Sequence, residues 1–161
     1  MPQRDQAYRQ FVSGSSPRLL RLSYLLVGDH AHAKDLLQDV LEKIYMKWPS
    51  IGEPEAYARR SLANAATNRW RARSRRPEVP LSGQHDVLVA GPEPSDRERL
   101  LAALATLGQG QRVTVVLRYF EDLSVDQVAD LLRCSPGTVK SQTARAIPRL
   151  RELLSITEQT C

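Results

Sequence analysis

Apolar residues recur at spacings of three and four along most of this chain, the period of helices packed on one side. Within residues 5–27 the stripe is Phe11, Leu19, Leu22, Leu25 and Leu26, and Pro17 predicts a break at 13–17. Gly28-Asp29 ends this helix and caps a second over 30–48, whose buried stripe is Ala33, Leu36, Leu37, Val40, Leu41, Ile44 and Tyr45. After the loop 49–53, a third helix runs from near Pro54 to about Arg75, with Leu62, Ala63, Ala66 and Trp70 inward. Residues 77–94 hold four prolines and two glycines and show no helical period, which predicts a flexible linker; Val87-Leu88-Val89 is an apolar patch within it, suited to docking on a partner. Ser95-Asp96-Arg97-Glu98 has capping-box form and opens helices over about 96–106 and 110–120.

The segment from Asp122 to Leu154 reads as two short helices joined by a tight turn. Ser124-Val125-Asp126-Gln127 is a second capping box, followed by Val125, Val128, Ala129 and Leu132 at helical spacing. The chain turns at Arg133-Cys134. Ser135 is the next N-cap, and Pro136 fits the first helical position. Val139 is the apolar anchor of the second helix, which leaves Lys140, Ser141, Thr143, Ala144 and Arg145 facing outward. A helix presented this way enters the DNA major groove with its N-terminal half against base edges. Pro148 predicts a kink or break beyond the reading residues.

Composition fits this pattern. Of 161 residues 42% are apolar but only 6% aromatic, so the core is built of Leu, Val and Ala, and long β-branched alternations are absent. The predicted fold class is therefore all-α: two small helical domains, residues 1–76 and 95–161, joined by the linker 77–94. No apolar run approaches the ~18 residues of a membrane span, and the polar start MPQRDQAYRQ lacks the apolar segment of a signal peptide. Cys134 and Cys161 form neither a disulfide framework nor a zinc spacing, so a reducing cytoplasmic setting is expected. The net charge of +5 is unevenly spread. Residues 56–76 hold seven arginines and no acid, 77–132 hold nine acids against four bases, and 133–161 hold five bases against two acids. Two basic segments flanking an acidic one suggest two contacts with a polyanion.

The two halves together resemble an extracytoplasmic-function sigma factor, the smallest type of bacterial RNA polymerase sigma subunit, and the actinobacterial branch in particular. The resemblance rests on DLLQDVLEKIYMKWPSI (Asp35–Ile51), on EAYARRSLANAATNRWRARSRR (Glu55–Arg76), and on the run from Val115 through LSVDQVADLLRCSPGTVKSQTARA. It implies an N-terminal σ2 domain that binds polymerase and opens the −10 element, and a C-terminal σ4 domain that reads the −35 element.

Residue by residue, the resemblance implies that Asp35, Gln38, Asp39 and Glu42 face the β′ clamp helices; their spacings of three and four project them together. It places Arg59, Arg60, Asn64, Arg69, Arg71 and Arg73 on −10 DNA, where single strands need a cationic track and base-binding groups. The loop 49–55 matches the family's pocket for a flipped-out base, whose extrusion costs a few kcal/mol. On the −35 duplex it places Lys140, Ser141, Ala144 and Arg145 against base edges, with Arg118 and Thr138 on the backbone. Core RNA polymerase (β′ clamp helices and β flap) and promoter DNA are the implied partners, with an anti-sigma factor as a further candidate. No cofactor, metal or membrane is implied.

Three other classes compete, of which an anti-sigma-like or scaffold protein leaves the basic segments unexplained. An enzyme would need a site, but His30 and His32 lie two apart on different helix faces, His85 lies in the linker, and there is no phosphate loop or nucleophile motif. A stand-alone helix-turn-helix regulator would bind duplex DNA without polymerase, and leaves the arginine-rich third helix and Asn64 without a role.

Overall fold

The structure is a computed structural model that describes residues 2–74 and 95–158; of residues 70–74 and 155–158 the backbone alone is described. The linker, its Val87–Val89 patch and His85 lie outside the described residues, as do the side chains of Trp70, Arg71 and Arg73. Seven α-helices and no strand are found among those residues: α1 (Pro2–Val27), α2 (His30–Lys47), α3 (Pro54–Ser74), α4 (Asp96–Ala105), α5 (Gln109–Val115), α6 (Val125–Leu132) and α7 (Pro136–Glu158).

The local signals act as expected at most joints. Gly28 takes φ +79°, which ends α1, and the Asp29 carboxylate accepts from the His32 amide at 3.2 Å to cap α2. A 3₁₀ turn, Trp48–Ser50, then leads to α3. Ser95 caps α4 by accepting from the Glu98 amide at 3.2 Å. Ser124 and Gln127 form both bonds of a capping box, at 3.0 and 2.8 Å. Ser135 accepts from the Thr138 amide at 3.1 Å ahead of α7. The turn between α6 and α7 uses Arg133 in the left-handed conformation, φ 55°, without a glycine. Between α5 and α6 one π-helical turn, Val116–Phe120, closes with the Glu121 amide donating to the Val116 carbonyl at 3.2 Å.

Two expectations about prolines are corrected. Pro17 does not break α1, and α7 runs unbroken through Pro148. In each case the proline and the residue four before it, Ser13 or Ala144, are exposed. The carbonyl deprived of its helical partner therefore faces water, and burial of the opposite side holds the helix together: Leu19 and Leu22 in α1, Ala146 and Leu150 in α7.

The core is one continuous cluster that runs through both halves. Leu22, Leu26, Ile44 and Leu62 are its centre in the first, and Leu104, Leu117, Val128 and Val139 in the second. Tyr45, expected in the buried stripe, is instead 40% exposed. Its ring stands edge-on to Tyr8 at 5.0 Å and its hydroxyl donates to Asp5 at 2.9 Å, so the polar tip remains at the surface.

Candidate nucleic-acid and polymerase interfaces

The second helix of the helix-turn-helix, α7, is held by Val139 and Ala146, both fully buried. Thr138, Lys140, Ser141, Ala144 and Arg145 are all exposed, whereas Thr143, expected to face outward, is half-buried and its hydroxyl donates to the Val139 carbonyl at 2.8 Å. Lys140 and Arg145 form no ion pair among the described residues. The hydroxyls are already engaged in shaping the helix. Thr138 Oγ1 lies 2.9 Å from Ser135 Oγ, and Ser141 donates to the Thr138 carbonyl at 3.1 Å. Each keeps acceptor capacity for an outside donor. Arg118 is placed differently from the others. It is half-buried, and its Nη1 donates to the Leu123 carbonyl at 2.6 Å, which fixes the strand of chain entering the Ser124 cap.

On α3 the candidate residues do not share one face. Arg60 and Asn64, four apart, lie together, with Tyr57 three residues before Arg60 on the same side. Beside them the 49–53 loop and α3 enclose a cleft of about 350 Å³, lined by Lys47, Ile51, Glu53, Tyr57 and Arg60 among others. The loop is shaped by Ser50 donating to the Lys47 carbonyl at 2.9 Å and by the Tyr57 amide donating to the Glu53 carbonyl at 3.0 Å. Arg69 lies toward the α1–α2 junction. There it helps the His32 amide, the main cause, to hold the Asp29 carboxyl below its ordinary value. Tyr57 and Lys47 went unnoticed in the sequence, although Tyr57 lies seven residues before Asn64, two turns along one face.

The α2 residues Asp35, Gln38, Asp39 and Glu42 are all exposed, along one side of the helix whose other side is core. Their row ends at a cleft of about 580 Å³ between α1 and α2, lined by Asp5, Tyr8, Arg9, Glu42, Tyr45 and Met46. Burial, reinforced by Glu42, raises the Tyr8 hydroxyl above its usual pKa, and that hydroxyl donates to the Leu41 carbonyl at 2.9 Å. Met46 is 76% exposed, so the acidic row has an apolar end that the charge pattern did not reveal.

The two halves also touch each other. Arg59 pairs with Glu121 at 3.6 Å and Arg60 with Asp130 at 3.8 Å. Arg112 of α5 is buried, and its Nε donates to the Leu25 carbonyl in the last turn of α1 at 2.7 Å. Gln109 reaches the Leu26 carbonyl at 3.4 Å, and the Arg97 guanidinium lies 5.3 Å from the Tyr24 ring centre.

Comparison with known proteins agrees with this geometry. Residues 11–76 match the family described as Sigma-70 region 2, and residues 97–150 the family Sigma-70, region 4. The chain is 39% identical over 152 residues to the RNA polymerase sigma-E factor of Streptomyces avermitilis, covering 91% of this chain and 84% of that one. It is 38% identical over 154 residues to the Streptomyces coelicolor sigma-E factor, covering 91% and 85%. Among solved structures it resembles the sigma factor RpoE of Bartonella quintana, determined in complex with the anti-sigma factor NepR. That likeness has a TM-score of 0.72 at 27% identity, over 94% of this chain and 98% of that one. The chain belongs to the extracytoplasmic-function group of the sigma-70 family, the subunits that give RNA polymerase its promoter-specific initiation.

Proposed function

We propose that this sigma factor divides its work among three surfaces, within a domain scheme of residues 1–76, 77–94 and 95–161. The α2 row Asp35, Gln38, Asp39 and Glu42 takes the β′ clamp helices of core RNA polymerase, with Tyr45 and Met46 extending the contact. On α3, Arg60 and Asn64 take the −10 strand, and the cleft beside Tyr57 takes a flipped-out base, for which an aromatic face and nearby polar groups are the needed chemistry. Arg59, Arg69, Arg71 and Arg73 add cationic charge along the same helix. On α7, Lys140, Ser141, Ala144 and Arg145 read the −35 duplex, with Thr138 on the backbone and Arg118 bracing the turn before α6.

The β flap is assigned to an apolar groove of about 380 Å³ in the C-terminal half, lined by Leu100, Val115, Tyr119, Ile147, Leu150 and Leu154. An anti-sigma factor remains a candidate partner. The chain acts as a regulatory subunit rather than as a catalyst, in the cytoplasm.

The observation that carries the DNA reading is the α7 face: two exposed cations and an exposed alanine on a helix whose opposite side is locked into the core. The stand-alone regulator is not favoured, because residues 11–76 match a polymerase-subunit family. In vitro transcription with core polymerase over a promoter library tests the whole scheme. Initiation confined to promoters sharing one −35 and one −10 sequence supports it, and absence of initiation from a folded sample overturns it.

A further inference from the structure

Three side-chain hydroxyls lie along the first turns of α7, and two of their protons have a fixed destination. Thr143 is half-buried and donates to the Val139 carbonyl at 2.8 Å. Thr138 sits in the first turn, with its Oγ1 2.9 Å from Ser135 Oγ. Ser141 is exposed, and its Oγ lies 3.1 Å from the Thr138 carbonyl oxygen. A carbonyl oxygen only accepts, so Ser141 is the donor in that bond and its one proton is spent inside the helix. What Ser141 offers outward is a lone pair. Its neighbours offer the reverse: Lys140 and Arg145 carry donors and no acceptor, and Ala144 carries neither. Ser141 is thus the one side-chain acceptor among the four residues set against base edges. Arg145, four positions on, stands on the same column of the helix with a fork of donors.

We propose that Ser141 reads the −35 duplex as an acceptor alone, and so selects an exocyclic amino group, adenine N6 or cytosine N4, on the strand it faces. The proposal rests on the assignment of α7 to that duplex. Each base pair shows one amino and one keto group along its major-groove edge, on opposite strands. An acceptor held against one strand therefore tells A·T from T·A and C·G from G·C. Guanine O6 or thymine O4 at that point sets oxygen against oxygen. Relief requires Ser141 to turn its proton outward and give up the Thr138 bond. Either way one hydrogen bond is lost, a difference of about fivefold to tenfold in affinity. Lys140 and Arg145 complement this choice, because guanine O6 and N7 take donors. The −35 signature is then an amino base at one step beside acceptor-rich bases, with Ser141 fixing the orientation of the pair it meets.

The test uses the full chain with core polymerase. A −35 library is selected with wild type and with Ser141→Ala, whose folding is checked by circular dichroism. Wild type is expected to hold one base pair in one orientation, and the variant to relax that position. The amino group of that pair is then deleted chemically, with 2-aminopurine in place of adenine or 2-pyrimidinone in place of cytosine. Both analogues still pair, but neither carries an amino group in the major groove. The deletion is expected to weaken the wild-type complex by about fivefold to tenfold and to leave the Ser141→Ala complex unchanged, so that the two changes couple in a double-mutant cycle. Equal weakening of both complexes overturns the proposal, as does a deletion that weakens neither, or a variant that selects the same −35 sequence as wild type. Lys140→Ala and Arg145→Ala in the same selection separate this from the function reading. If neither they nor Ser141→Ala alters the −35 preference, α7 is not the reading helix. If they alter it and Ser141→Ala does not, only the Ser141 inference falls.

Discussion

Both α3 and α7 are basic helices, but they differ in who holds the charge. On α7, Lys140 and Arg145 stand in solvent without a carboxylate partner among the described residues. On α3, Arg59 and Arg60 are already engaged by acids of the opposite half. A count of arginines ranks α3 as the stronger DNA surface, whereas the structure makes α7 the more available one. The reason is position: α5 and α6 pack against α3, and Glu121 and Asp130 lie where the halves meet.

The largest effects belong to the backbone that supports the two surfaces. Pro17→Ala in α1 and Pro148→Ala in α7 each restore a helical hydrogen bond in an otherwise continuous helix. Each is expected to raise stability, by up to about 3 kcal/mol. Thermal melts of both variants check this. The −35 preference should persist in Pro148→Ala, because Lys140–Arg145 precede the proline; a changed −35 consensus in a library selection would show that the proline positions the reading residues.

Next come the base contacts. Arg145→Ala is expected to relax selectivity at one −35 position by about 1–3 kcal/mol if it reads a base. If it instead holds phosphate, binding falls evenly across sequences and the salt slope drops by about one. Asn64→Ala is expected to do the same at one −10 position in open-complex assays. Uniform loss over all −10 variants would move Asn64 into a structural role.

The helix caps give a smaller contrast. Ser124→Ala removes the hydroxyl half of a complete capping box and is expected to cost about 1 kcal/mol, more than Ser95→Ala, whose cap has one bond. Gln127→Ala removes the other half, the bond from the Ser124 amide, and an unchanged melt there would show that the reciprocal bond adds nothing.

The smallest effect is pH-dependent. The Glu121 carboxyl is raised by burial above 4.5, its ordinary value, so the folded chain takes up this proton before the unfolded one. The penalty is absent below the ordinary value and fully felt above the folded one. Glu121→Gln should therefore melt slightly higher than wild type at neutral pH, with the gap closing as pH falls toward 4.5. A variant that melts below wild type at neutral pH, with the difference shrinking on acidification, would mean that the Arg59 pair outweighs desolvation.

Local patterns were enough for the helices and their caps. The buried stripes of α2 and α3, the Gly28-Asp29 joint, the Ser124 box and the Val139 anchor all follow from spacing and side-chain chemistry within a few residues, and the exposed rows on α2 and α7 are their complement. The same local rules misread Pro17 and Pro148, because a proline's effect depends on whether its orphaned carbonyl meets water and on how firmly the other side of the helix is packed. They misread Tyr45 too, whose ring had a partner in Tyr8, 37 positions earlier. Contacts between the halves lay beyond any such rule. Arg112 caps a helix 87 residues away, and Glu121 and Asp130 select two of the seven arginines counted in 56–76. Which charges meet is settled by how two packed cores dock, and that depends on the shape of both surfaces at once rather than on the period of either chain segment.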